Sequence, residues 1–151
     1  MNTIKNTIVE FERVLDESAK KLLKYSEDEA TKKAAPEKWS KKEILGHLID
    51  SAANNHQRFV RMQIENNLKL PSYEQEKWVS VQHYNTVSWN ELIRLWEAYN
   101  LHLLHILWHI DKTKLLNTAQ IGNLAEMTLE FIIEDYVGHL KHHLNQIIVN
   151  E

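Results

Sequence analysis

The chain contains no cysteine, only three glycines and two prolines, and no apolar run approaching membrane-spanning length. Without cysteine there are no disulfides, no thiolate metal site and no cysteine nucleophile, so any metal centre must be built from histidine and carboxylate. Scarce glycine and proline remove the usual punctuation of strand-rich and loop-rich folds. Neither sign of charge dominates: the formal net charge is −3 over 151 residues, which offers no electrostatic hold on nucleic acid. Nucleic acid and membrane are therefore not expected as partners. The opening Met1-Asn2-Thr3-Ile4-Lys5-Asn6 reads as the start of an amphipathic segment rather than a signal peptide, and the cytoplasm is the expected location.

What remains is a chain with 43% hydrophobic residues, enough to bury a core as a single domain over 1–151. Apolar residues recur with helical period, which predicts an all-α fold with no competing strand. The first helix is expected from about Thr3 to Tyr25, with Ile4, Ile8, Phe11, Leu15, Leu22 and Leu23 inward, followed by a polar connection ending at Trp39. Ser40 and Glu43 form a capping-box pattern opening a second helix to about Glu65. An irregular stretch through Pro71, Trp78 and Tyr84 leads to Ser88, which can cap a third helix to about Ile110. Its core residues would be Leu92, Leu95, Trp96, Tyr99, Leu103, Leu107 and Ile110. After a connection from Asp111 to Ala125, Thr128 can cap a last helix to about Val149, with Glu130 in its first turn. Four long helices with an extended crossover between the second and third predict a four-helix bundle. The five tryptophans fit bundle cores and dimer contacts without a cofactor.

Nine histidines are the chemically distinctive feature. In Asp135-Tyr136-Val137-Gly138-His139-Leu140-Lys141-His142-His143 the i, i+4 spacing places His139 and His143 on one helix face, with Asp135 one turn earlier. Projection at about 100° per residue sets Leu129, Ile133, Tyr136, Leu140, Leu144 and Ile147 on one arc, His143 at its edge, His139 slightly beyond, and His142 toward solvent. A third ligand is available at His47, which shares a polar stripe with Ser51, Asn54 and Arg58 beside Ile44, Leu45, Leu48 and Ala52. Three histidines from two helices would leave a coordination position open for chemistry. Asp50 and Asp135 could accept the second ring N–H of ligating imidazoles, or both could be plain helix-surface carboxylates. The spacing alone fits a solvated histidine face equally well. A rival cluster, His102, His105 and His109, reads as a solvated or dimer-contact face, His56 as a neutral hydrogen-bonded core histidine, and His83 as a residue near a pocket mouth.

The segments Trp39-Ser40-Lys41-Lys42-Glu43-Ile44-Leu45-Gly46-His47-Leu48-Ile49-Asp50-Ser51, Asn55-His56-Gln57-Arg58-Phe59, Asp135-Tyr136-Val137-Gly138-His139 and His142-His143-Leu144-Asn145-Gln146-Ile147 resemble the DinB-like superfamily, which includes the YfiT-like metal-dependent hydrolases. The resemblance implies an up-down-down-up four-helix bundle, often dimeric, with a divalent metal such as zinc or nickel on the positions of His47, His139 and His143. It implies a range of activities, from hydrolysis to S-transfer and isomerisation with low-molecular-weight thiols. Fold follows from it more directly than reaction.

These observations point to a metal-dependent enzyme acting on a small-molecule substrate, as a hydrolase if the nucleophile is water and as a transferase if it is a low-molecular-weight thiol. Asn54 and Arg58, with the aromatic segment around Trp78 and Tyr84, are the candidates for holding substrate, Arg58 being suited to a carboxylate. A homodimer is expected. The alternatives are a metal-binding or interaction module without turnover, in which a fourth protein ligand closes the site, and a structural helical bundle that binds nothing.

Overall fold

The computed structural model describes residues 3–148. Its elements run α1 (Thr3–Leu22), α2 (Glu27–Thr31), α3 (Lys41–Ile64), β1 (Leu68–Leu70), α4 (Gln75–Gln82), α5 (Trp89–Trp108), β2 (Thr118–Ile121), β3 (Met127–Thr128) and α6 (Leu129–Ile147), with 3-10 turns at Tyr84–Thr86 and Lys112–Lys114. The four long helices α1, α3, α5 and α6 form the bundle. In it α3 packs on α5 and α6, and α1 packs on the same two helices, so α1 and α3 occupy diagonal corners.

Local chemistry explains where the helices begin. The Ser40 hydroxyl accepts the Glu43 N–H at 3.1 Å while Glu43 accepts the Ser40 N–H at 3.0 Å, satisfying two amides that the first turn of α3 leaves free. Ser88 and Thr128 cap α5 and α6 through the hydroxyl alone, which accepts the Glu91 and Phe131 backbone N–H respectively. A second reciprocal pair, Ser26 with Glu29, starts α2 inside what the sequence presents as a plain polar connection. Ile8, Phe11, Phe59, Trp96, Leu103, Ile133 and Leu140 meet in the core. Trp89, also buried, donates its indole N–H to the Leu22 carbonyl at 2.8 Å, tying the end of α1 to the start of α5.

Three expectations need correction. Leu23 lies just past the end of α1 and is 60% exposed, and Leu95 of α5 is 49% exposed, because each falls outside the arc that faces the other helices. The connections are also not strand-free. β1 pairs in parallel with β2 (Leu68↔Ala119, Leu70↔Ile121), and β2 pairs antiparallel with β3 (Thr118↔Thr128, Ala119↔Met127). After β2 the chain turns at Gly122, whose φ of +56 suits glycine, and a Cβ there would press on the Ser72 side chain. The small sheet joins the crossover to the start of α6, and so helps fix the height of α6 against α3. Val149, where the last helix was expected to end, lies outside the described residues; α6 ends at Ile147.

Candidate metal centre

His47 lies on the second turn of α3, between the core residues Leu45 and Leu48, with 0% of its surface exposed. His139 and His143 are successive-turn neighbours on α6, each half-buried beside Leu140 and Leu144. Because α3 and α6 pack together, the three rings meet: centroids are 5.0 Å apart for His47 and His139, 4.7 Å for His47 and His143, and 4.5 Å for His139 and His143. One ligand atom from each lies within 4.8 Å of the others, and among the described residues no other three histidine or carboxylate side chains converge this way. The Trp39 ring covers His47 at 5.1 Å.

The geometry suits a cation. Tetrahedral coordination at about 2.0–2.1 Å separates ligand nitrogens by roughly 3.3 Å, and the Nε2 atoms of His47 and His139 stand 3.2 Å apart. Two imidazole nitrogens facing each other at that distance share either one proton or one cation. Burial, reinforced by the neighbouring imidazoles, lowers the pKa of His47 to about 3. Burial and His143 likewise lower His139 to about 4. Both rings are therefore neutral near pH 7, the form that binds metal. The His143 Nδ1–H donates to Gln146 Oε1 at 2.8 Å, which leaves its Nε2 lone pair free. Gln146 also reaches the exposed His142 at 3.4 Å, so His142 adjoins the site through an amide.

Neither aspartate accepts a hydrogen bond from a ring of the three-histidine group. Asp50 is buried, but its Oδ1 accepts from the Tyr84 hydroxyl at 2.6 Å and from Gln82 Nε2 at 2.8 Å rather than from an imidazole. Its Oδ2 and His47 Nδ1 are both buried without a partner. Burial holds the Asp50 carboxyl above the usual carboxylate range, against the two hydrogen bonds that lower it. Asp135 is exposed and makes no hydrogen bond to His139; its charge only favours the protonated ring. The partner that does bond an imidazole, Gln146, is missed by a reading that looks for carboxylates. Its i, i+3 spacing from His143 was the available signal.

A cleft of about 240 Å³ opens beside His139 and is lined by Ser51, Asn55, Arg58, Tyr73 and Asp135 among others. Arg58 is thus where the stripe on α3 places it. Asn54 is not: it donates to the Asp50 carbonyl at 2.9 Å, and Asn55, at a four-residue step from Ser51, takes the cleft position. Of the aromatic segment, Tyr73 rather than Trp78 or Tyr84 lines this cleft; Trp78 stacks edge-on against Tyr73 at 5.3 Å. A second hollow of about 610 Å³ opens beside His143, between Trp39, Glu76 and Gln146. His83, exposed and in the left-handed region, lines an adjoining depression with Trp39 and Glu43. His56 is hydrogen-bonded through Nδ1 to the Tyr99 hydroxyl at 2.9 Å. His102, His105 and His109 form an exposed row on α5 and its C-terminal end, with neighbouring ring centroids 6.4 and 4.4 Å apart.

The chain is similar to known proteins. A Halalkalibacterium halodurans protein named "putative metal-dependent hydrolase" is 26% identical over 119 residues, covering 79% of this chain and 69% of its own. A Bacillus cereus protein of the same name is 25% identical over 109 residues, covering 72% of this chain and 62% of its own, so the match spans about two thirds of such relatives' length. Among solved structures, YfiT from Bacillus subtilis, described as a probable metal-dependent hydrolase with an unusual four-helix bundle topology, superposes with a TM-score of 0.86 over 97% of this chain and 85% of its own at 18% identity. That likeness establishes the fold as a four-helix bundle. The sequence model of the DinB superfamily matches residues 10–147, a span that includes all three converging histidines, and the chain belongs to the DinB superfamily.

Proposed function

We propose that this protein is a metal-dependent enzyme that holds one divalent ion, zinc or nickel, on His47, His139 and His143 and acts on a small molecule bound in the adjoining cleft. The observation that carries the reading is the convergence of three imidazoles, two of them buried into neutrality, with no fourth histidine or carboxylate in the group among the described residues. Three protein ligands are the donor set of catalytic rather than structural sites. Bound there, the ion would polarise a substrate and lower the pKa of water or a thiol.

The chain's own residues prepare the rest. Gln146 fixes the tautomer of His143, and Trp39 shields His47 from solvent. Asp50, anchored by Tyr84 and Gln82, holds a buried carboxyl one helical turn from His47, whose Nδ1 has no partner of its own. Ser51, Asn55 and Arg58 offer polar contacts to the substrate. Hydrolysis is the reading that the relatives' names support. The hollow beside His143, separate from the cleft beside His139, supports transfer from a low-molecular-weight thiol, since it gives a second reactant its own approach.

The test is turnover of simple esters and amides, and of a small thiol with an activated aryl halide, by protein reconstituted with zinc or nickel. Activity should vanish on chelation, return with metal and be absent in His47→Ala. Activity indifferent to chelation would contradict the proposal.

A further inference from the structure

Arg58 is the one cationic side chain of the cleft beside His139. Long charged side chains that reach into a protein surface are normally paired, because removing the charge from water without a partner is costly. Arg58 is half-buried, yet among the described residues no carboxylate lies within 4.0 Å of it, and it donates a long hydrogen bond to Asn55 Oδ1 at 3.5 Å. Asn55 is itself buried and held by the Ser51 carbonyl at 2.8 Å, so the group beside the guanidinium is rigid. Asp135, across the cleft on α6, is close enough for its charge to act on Arg58 but forms no ion pair with it. The guanidinium therefore lines the cleft with most of its donors unspent, one N–H making only the long bond to Asn55. We infer that Arg58 is a carboxylate-binding residue and that the substrate is a small, elongated carboxylic acid whose reacting group lies at the end away from the carboxylate.

The placement sets the shape of such a ligand. Asn55 follows His47 by eight residues, which is about 12 Å along a helix axis, and the Arg58 guanidinium is drawn back to the level of Asn55. The carboxylate thus sits two turns from the histidine cluster, and the cleft leads from one to the other, with His139 among its lining residues. A volume of about 240 Å³ lies below the range for drug-sized ligands, which limits the substrate to a short chain. Burial pulls the Arg58 pKa down from its ordinary value, with Tyr73 and Asp135 opposing, but an arginine stays charged. Asp135 also fixes selectivity, since a second negative charge near the rim repels a dianion more than a monoanion.

This inference rests on the enzyme reading above for what happens at the far end of the ligand, but its test does not. Hexanoate and its neutral counterpart hexanamide are titrated into 15N-labelled protein, with and without zinc, following the Arg58 Nε–Hε signal. Hexanoate should shift that signal whether or not zinc is present, and bind at least about tenfold more tightly than hexanamide. Arg58→Gln should weaken hexanoate about tenfold, measured on backbone amides of the cleft, Arg58→Lys should weaken it less, and Asp135→Asn should tighten it. Thermal melts establish that each variant is folded. Equal affinity for acid and amide, or hexanoate binding that survives Arg58→Gln, would overturn the inference. Binding that requires zinc and disappears in His47→Ala while surviving Arg58→Gln would overturn it too, and leave the metal centre standing. Arg58-dependent binding to a protein that takes up no metal would uphold the carboxylate site and defeat the enzyme reading.

Discussion

Replacing Gly46 by alanine should destabilise this protein, against the usual direction for a glycine in the middle of a helix. Gly→Ala there normally adds about 0.5–1 kcal/mol, since alanine loses less backbone entropy and favours the helix. At Gly46, however, a Cβ would fall inside the contact distance of Cγ, Cδ2 and Cε2 of Tyr84. The ring cannot swing away cheaply, being buried at 6% exposure with its hydroxyl bonded to Asp50 at 2.6 Å. Overpacking of this kind costs about 1–3 kcal/mol, and loss of the Tyr84–Asp50 bond from a buried carboxyl adds about 1–2 kcal/mol. Set against the helix gain, the net loss is about 1–4.5 kcal/mol, or a melting temperature lower by roughly 2–18 °C for a domain of this size. Gly138 is the internal control, because nothing lies within 4 Å of a Cβ built there; Gly138→Ala should raise stability by about 0.5–1 kcal/mol. Denaturant melts of both variants read these signs directly. A Gly46→Ala protein as stable as Gly138→Ala would refute the packing of Tyr84 against α3 and, with it, the anchoring of Asp50.

Metal-free protein should lose stability as the pH falls below about 6.5. The pKa of His47 is lowered from 6.5 to about 3, so below pH 6.5 the unfolded chain takes up a proton that the folded chain refuses, and stability falls as the pH drops toward the folded value. At 1.36 kcal/mol per pH unit the loss from His47 reaches about 2 kcal/mol by pH 5, and His139, lowered to about 4, acts in the same direction. Urea melts at pH 7 and pH 5 should show a smaller decline in His47→Ala; an identical decline would contradict the burial of a neutral ring. Tyr136→Phe should cost about 1–3 kcal/mol, because the buried Tyr136 hydroxyl donates to Asn100 Oδ1 at 2.5 Å and its loss strands a fully buried amide. Its unfolding midpoint should fall without a change in slope; a midpoint equal to wild type would show that the amide finds another donor.

The features legible in the sequence were the local ones. Ser40, Ser88 and Thr128 announce their helices because a cap and its amide lie within three residues. The helical period likewise placed His47 beside the apolar arc of one helix and His143 at the edge of another. That the rings face one another depends on how α3 meets α6, which no spacing encodes. The sheet was hidden for a related reason: β1 is three residues long, too short to alternate, and its partner β2 lies about fifty residues further on. Its own helix offers Asp50 either an imidazole or solvent as partner, whereas its hydrogen bonds come from residues 32 and 34 positions later. Asn54 and Asn55 are both polar neighbours on a helix edge, and only the packed structure shows that the cleft lies on the side of Asn55.

The most direct test of the metal centre is elemental analysis of untagged protein after incubation with zinc or nickel. Wild type would be compared with His47→Ala, His139→Ala and His143→Ala, and with His102→Ala and His105→Ala from the exposed row on α5 as controls. About one metal ion per chain in wild type and both controls, lost in each of the first three variants, is the expected result. A wild type that retains no metal, or metal lost equally from the controls, would contradict a three-histidine centre between α3 and α6.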